Sequence, residues 1–181
     1  LTAANYYSGT TSITGGVLAI GSTASLPGWN TSGRYLVSGG AGLAVGNAVT
    51  DVSLSTILTT GNFAANAQVG FDTTSGDRTS GLGIANTGSG ALGLVKVGPN
   101  TLTLTGSSTY TGGSLIAGGT LRVAALGDSG YSSLGTSGTL TINGGALQFS
   151  GLTASTGRVI VFGTGVGGTI DVVPGATLTV S

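Results

Sequence analysis

Residues 96–124 read KVGPNTLTLTGSSTYTGGSLIAGGTLRVA, and this stretch decides the fold. It holds three short apolar/polar alternations separated by glycine turns. Leu102 and Leu104 alternate with Thr101, Thr103 and Thr105. Leu115 and Ala117 follow Thr111-Gly112-Gly113, and Leu121 and Val123 follow Gly118-Gly119. Successive side chains of a strand point to opposite faces, so each segment has one apolar and one hydroxyl-bearing face. Paired glycines open positive φ and allow tight turns. The segments are too short, and the turns too frequent, for an ordinary antiparallel sandwich. They suit a β-solenoid, in which every strand pairs with the coils above and below.

Strand starts recur at Thr101, Thr120, Thr139, Arg158 and Thr177, each 19 residues after the last (120 − 101 = 19, and so onward). A period near 20 residues is what a solenoid coil requires. The spacing predicts coils of about 19–25 residues, about eight in all, and a body roughly 40 Å long at ~4.8 Å per coil. Inward positions on this lattice are Leu102, Leu121, Leu140, Val159 and Leu178. Two residues on, they are Leu104, Val123, Ile142, Val161 and Val180.

Residues 1–21, shifted by 103, fall on 104–124: Leu1, Tyr7, Gly9, Ile13 and Leu18 match Leu104, Tyr110, Gly112, Ile116 and Leu121. The chain thus holds two copies of one motif, at 1–21 and 93–124, and the first opens in mid-strand. Soluble solenoids cap their ends, and neither terminus shows a capping helix or a charged gatekeeper. We therefore expect residues 1–181 to be a single solenoid segment, one slice or subunit of a longer array. Leu1 and Thr2 at one end and Thr177, Leu178, Thr179 and Val180 at the other are its expected assembly surfaces. The expected partners are copies of the chain itself, joined end to end covalently or by strand pairing.

Residues 51–80 break the repeat. Asp51 can cap a helix, Val52, Leu54, Ile57 and Leu58 have partly helical spacing, and Gly61-Asn62 supplies a stop, which predicts a short helix over 51–59. Val69-Gly70-Phe71 reads as a strand and Asp72 to Ser80 as a polar turn. Gly81 to Leu94 returns to glycine-spaced strands.

Composition narrows the function. Thirty-seven glycines in 181 residues occur without a Gly-X-Y period, which excludes collagen. Three prolines and 39% hydrophobic residues exclude a disordered linker. Five basic residues are scattered and balanced by five Asp, so no basic face for nucleic acid exists. Glu, His, Cys and Met are absent. The commonest general base, the thiol nucleophile and the soft metal ligands are therefore missing, and we expect neither catalytic residues nor a metal or other cofactor. No run of about 18 apolar residues marks a membrane span.

The stretch 93–123, G-L-V-K-V-G-P-N-T-L-T-L-T-G-S-S-T-Y-T-G-G-S-L-I-A-G-G-T-L-R-V, resembles the passenger-associated transport repeat, also called the autotransporter-associated β-strand repeat. The resemblance implies a right-handed parallel β-helix in a secreted or surface-displayed bacterial protein. It implies a scaffold and no particular ligand.

Four side chains are candidate surface contacts. Trp29, the single Trp, offers an aromatic platform for a sugar or else plugs the solenoid wall. Tyr35 lies close by in sequence. Asp72 and Asp77 flank a turn and are candidate Ca²⁺ ligands, but D-T-T-S-G-D-R lacks the spacing of a calcium loop, and turn capping explains them as well.

These observations give an all-β, right-handed parallel β-helix with one short helical insertion near 51–59. The function expected is structural: a stalk, fibre or adhesin scaffold, extracellular or on a bacterial cell surface, and not an enzyme. The alternative is an adhesin-type module that recognises a glycan or host surface through its loops.

Overall fold

The computed structural model describes residues 1–181. The chain winds through seven coils. The first holds β1 (Thr11–Ile13) and β2 (Val17–Ile20), and the second β3 (Tyr35–Val37), β4 (Gly42–Val45) and helix α1 (Asp51–Thr60). The third holds β5 (Asn62–Phe63), β6 (Gln68–Asp72) and β7 (Arg78–Ser80), the fourth β8 (Gly93–Val97) and β9 (Thr101–Leu104), and the fifth β10 (Ser114–Ile116) and β11 (Gly119–Val123). The sixth holds β12 (Leu140–Ile142), β13 (Gly145–Phe149) and β14 (Thr153–Thr156), and the seventh β15 (Ile160–Phe162), β16 (Thr169–Val172) and β17 (Thr177–Val180).

All named strands pair in parallel. A seven-stranded sheet runs β2-β4-β6-β8-β10-β12-β15, and a five-stranded sheet runs β7-β9-β11-β13-β16. Smaller sheets, β1-β3-β5 and β14-β17, close one side at each end. The architecture is the expected β-solenoid, with seven coils rather than about eight, so the stack is about 34 Å tall at ~4.8 Å per coil.

Register makes the core. One inward row of the large sheet reads Leu18, Leu43, Val69, Leu94, Ser114, Leu140, Ile160. The five-stranded sheet answers with Leu102, Leu121, Leu147 and Ile170 in one row and Leu104, Val123, Phe149 and Val172 in the next. Leu102, Leu121 and Leu147 are wholly buried. Each such side chain is worth about 1.5–3 kcal/mol relative to exposure.

The coils are not of equal length. Val17 aligns with Gly42, Leu94 with Ser114 and Ser114 with Leu140, steps of 25, 20 and 26 residues. Thr101 does pair with Thr120, a step of 19, but Thr120 then pairs with Ala146. Thr139 precedes β12 in the large sheet and Thr177 starts β17 in the two-stranded sheet, so the even 19-residue lattice runs across three different sheets. One consequence is a correction. Leu140 sits over Ile160, not Val159. A one-residue slip reverses the faces of a strand. Ile160 therefore points inward, while Val159 and Val161 are exposed.

The two motif copies share a local shape and differ in placement. Each is strand, Gly-Gly corner, strand. Copy one joins the three-stranded sheet to the large one, and copy two joins the large sheet to the five-stranded one. At the second corner Gly119 has φ +59°, and a Cβ there would lie 2.5 Å from the Asn100 carbonyl, so no other residue fits.

Helix α1 forms where expected. The Thr50 hydroxyl accepts a hydrogen bond from Ser53 N (3.2 Å), and Asp51 adds a negative charge to the first turn. Leu54 and Ile57 are buried in the core, and Val52 faces solvent. Gly61 ends the helix with φ −76°, an ordinary extended value. Glycine is needed there for space, since a Cβ would lie 2.4 Å from the Tyr35 ring. Residues 81–92 differ from expectation. They form no ladder strand, only an isolated bridge between Thr87 and Gly90.

Candidate functional site

Three cations lie inside or against the core, and the fold uses each of them. Arg78 stands in an inward row beside Leu102, with its guanidinium carbon 4.7 Å from the centre of the Phe71 ring. It donates to Asp51 Oδ1 (3.1 Å) and to the Gly46 carbonyl (2.8 Å). Asp51 also accepts from the Ser80 hydroxyl and from Gly81 N, both at 2.9 Å. The start of α1 is thereby clamped to the next coil.

The same arrangement recurs four coils on. Arg158 donates through Nε to Asp128 Oδ1 (3.3 Å) and through Nη2 to the Gly127 carbonyl (2.9 Å). Its remaining donors meet the Leu134 and Gly135 carbonyls. Asp128 accepts from the Thr156 hydroxyl (2.7 Å) and from Gly157 N (2.6 Å). The Gly157 N–H, the Thr156 hydroxyl and the Arg158 guanidinium, in that order, hold the Asp128 carboxyl below the usual carboxylate range. In both clamps one carboxylate oxygen takes arginine and a hydroxyl, and the other takes a glycine N–H.

Lys96 is the third. It stands in the inward row between Phe71 and Ile116 and is wholly buried. Its Nζ donates to Thr73 Oγ1 (2.8 Å) and to the Val97 (3.2 Å) and Gly98 (2.7 Å) carbonyls. Burial pushes its pKa down to about 8, with Asp72 and Asp77 pulling the other way.

The sequence-derived candidates separate in space. Tyr35 is wholly buried, edge-on to Phe63 with ring centres 6.4 Å apart. Its hydroxyl donates to the Ile57 carbonyl (2.5 Å) at the end of α1. It is therefore a core residue with no surface to offer, because its β1-β3-β5 sheet is roofed by the helix. Trp29 is half-buried and packs on the core, and its carbonyl accepts from the Thr60 hydroxyl (2.9 Å). Asp72 closes its own turn, accepting from Thr74 N (2.9 Å) and the Thr74 hydroxyl (2.6 Å). Asp77 accepts from Thr101 N (2.8 Å) in the next coil. Both carboxylates cap backbone. Leu1 and Thr2 lie beside β2, where Gly21 N donates to the Leu1 carbonyl (2.7 Å), and β17 lies in the seventh coil. The two expected assembly surfaces are thus at opposite ends of the stack.

The sequence reading missed one feature, a cleft of about 460 Å³ between α1 and the segment 82–89. Its signal was the failure of G-L-G-I-A-N-T-G-S-G-A-L to alternate. The segment is nevertheless fixed. Asn86 Oδ1 accepts from Leu92 N and Thr111 N, both at 3.0 Å, and its Nδ2 donates to Thr111 Oγ1 (2.9 Å). Ile84 N donates to Ser108 Oγ (3.1 Å).

The coaxial parallel coils, with glycine corners at both motif copies, define a parallel β-helix. The family described as Passenger-associated-transport-repeat matches residues 1–20 and 94–123. The chain is 35% identical over 194 residues to a protein named Adhesin BmaC autotransporter, from Brucella suis biovar 1 (strain 1330). That match takes in 100% of this chain and spans 6% of the relative's length. This chain is an autotransporter passenger-like β-helix carrying two passenger-associated transport repeats. No solved structure matches it. No helix is long and apolar enough to cross a membrane.

Proposed function

We propose that this chain is a structural segment of a secreted or surface-displayed bacterial protein, a length of stalk, fibre or adhesin scaffold continued by coaxial stacking on further coils. The observation that carries the reading is the inward row Val45, Phe71, Lys96, Ile116 and Ile142, each wholly buried between the coil before it and the coil after it. The family match and the much longer adhesin relative support surface display. The reading includes no bond-cleaving chemistry: Asp51 and Asp128 are tied to arginines, Asp72 and Asp77 to backbone, and Asp171 accepts from the Gln148 amide (2.7 Å).

Negative-stain microscopy of one, two and three copies joined in tandem tests it. The reading expects rods that lengthen by about 35 Å per added copy, at ~4.8 Å per coil. Rods that jointed or collapsed between copies would overturn coaxial stacking. Hydrolysis of a polysaccharide, lost on Asp72→Asn, would overturn the non-enzymatic part.

The similarity to an adhesin favours a second reading, a module that contacts a glycan or host surface. Of the candidate contacts, Trp29, Asp72 and Asp77 remain available to it. Trp29-dependent binding on a glycan array is its test.

A further inference from the structure

The cleft beside α1 has a shape set by coils on both sides of it, and it shares Ser55 and Leu82 with a smaller neighbouring concavity of about 380 Å³. Its walls come from the second, third and fourth coils, so whatever precedes the first coil or follows the seventh leaves it unchanged. The other large concavity, about 500 Å³ around Asp128 and Arg158, lies against the last two coils, and every nitrogen of its guanidinium is already engaged with the protein.

The lining of the α1 cleft has a definite chemistry. Leu58 and Leu82, both half-buried, form an apolar floor. Ser55, Thr59, Thr87 and Ser89 supply hydroxyls around the rim. No charged residue lines it. Its volume falls within the range of small-molecule sites, about 300–1,000 Å³. Both walls are held in place. The helix is clamped at its start by Arg78 through Asp51 and at its end by the Tyr35 hydroxyl. The facing segment is tied down through Asn86. A preformed site of this kind spends little binding free energy on ordering itself. Residue 83 in its wall must be glycine, because a Cβ there would lie 2.2 Å from the Ser107 carbonyl of the neighbouring coil.

We infer that this cleft binds a neutral saccharide. A pyranose ring has an apolar C–H face and an equatorial fringe of hydroxyls. Leu58 and Leu82 match the first. The second is met by the Ser55 and Ser89 hydroxyls, able to donate or accept, and by Thr59 and Thr87, which already donate to the Thr56 and Phe63 carbonyls and so offer lone pairs. An acidic saccharide would bring a carboxylate or sulfate with no cation to meet it, at a desolvation cost. A peptide helix would need a longer apolar groove than two leucines provide. The site is distinct from the Trp29 loop and independent of the scaffold reading, which stands or falls on rod length.

The test is an array of neutral and acidic oligosaccharides probed with the whole chain, followed by titration calorimetry on the strongest binder. Cellohexaose, laminarihexaose and mannohexaose serve as neutral probes, and a hyaluronan hexasaccharide as the acidic one. We expect a neutral probe to bind, with affinity changing less than twofold between 50 mM and 500 mM NaCl. Ser55→Trp and Ser89→Trp fill the cleft from exposed positions, so their circular dichroism should match the parent. Each should weaken binding at least tenfold, while Trp29→Ala leaves it within twofold. No neutral binder, preference for the acidic probe with strong salt dependence, or binding lost in Trp29→Ala and kept in both cleft variants would each overturn the assignment.

Discussion

Asp128 and Arg158, thirty residues apart, meet at 3.3 Å across one coil of the solenoid, with the arginine side chain 3% exposed and the aspartate 46%. The asymmetry matters. The aspartate can recover water if its partner is lost, but the Leu134, Gly135 and Gly127 carbonyls cannot all do so. Arg158→Ala should therefore cost about 3 kcal/mol, the lower range for breaking a buried ionic network, read as a drop in urea midpoint at unchanged slope. Asp128→Asn should cost less. Because the carboxyl is held below its usual range, its contribution is present above the unfolded-state value and is lost only as pH falls through the depressed folded value. Equal losses in the two variants would show that the carbonyl contacts contribute nothing.

Lys96 predicts a stability gain in mild alkali. The folded-state pKa is about 8 against an ordinary value of 10.5, so between them the unfolded chain binds more protons. Stability must then rise with pH, by about 2 kcal/mol from pH 7 to pH 9.5. Above pH 10 the trend should turn over, because burial holds the Tyr35 and Tyr110 hydroxyls protonated while the unfolded chain ionises them. Chemical denaturation at half-unit pH steps measures the curve, and Lys96→Met should flatten its rising limb. A rising limb unchanged in that variant would place its origin elsewhere.

Gly70 and Gly88 form a contrasting pair. A Cβ on Gly70 would lie 1.9 Å from the Val95 carbonyl in the next coil, whereas one on Gly88 meets nothing within 4 Å. Gly70→Ala should destabilise by about 3 kcal/mol through forced separation of β6 and β8. Gly88→Ala should change stability by less than about 0.5 kcal/mol. Thermal melts of the two variants side by side decide it.

Tyr35→Phe removes only the hydroxyl that holds the end of α1. The Ile57 carbonyl is left with Gly61 N as its remaining partner, at a cost of about 1–2 kcal/mol. Hydrogen exchange should show faster opening at the end of the helix around Thr60 and unchanged protection in β8 and β9. Loss of protection throughout would mean that the helix end and the core strands open as one unit.

Much of this was readable in the sequence, for reasons that also mark where reading failed. The alternation in Thr101-Leu102-Thr103-Leu104 fixes a strand and its buried face because burial on one side is a local pattern. The end of α1 was legible from Gly61, although the physical reason is the Tyr35 ring rather than a left-handed turn. The coil count and the face of Val159 were misread because register depends on corner length, and corners carry no alternation. Tyr35 looked like a surface aromatic because nothing local shows that α1 roofs its sheet. The Asp51–Arg78 and Asp128–Arg158 contacts span 27 and 30 residues through irregular chain, where no spacing rule applies.

The direction of the backbone hydrogen bonds has a mechanical meaning. In parallel coils these bonds lie along the solenoid axis, so tension between the two ends pulls on every bond of a coil boundary at once. The boundary between the third and fourth coils has five residue pairs in β6·β8 and three more in β7·β9. It cannot unzip one bond at a time unless the force is applied off-axis. A straight pull on such a segment would be shared across each coil boundary, whereas a sideways peel would break the same bonds one after another.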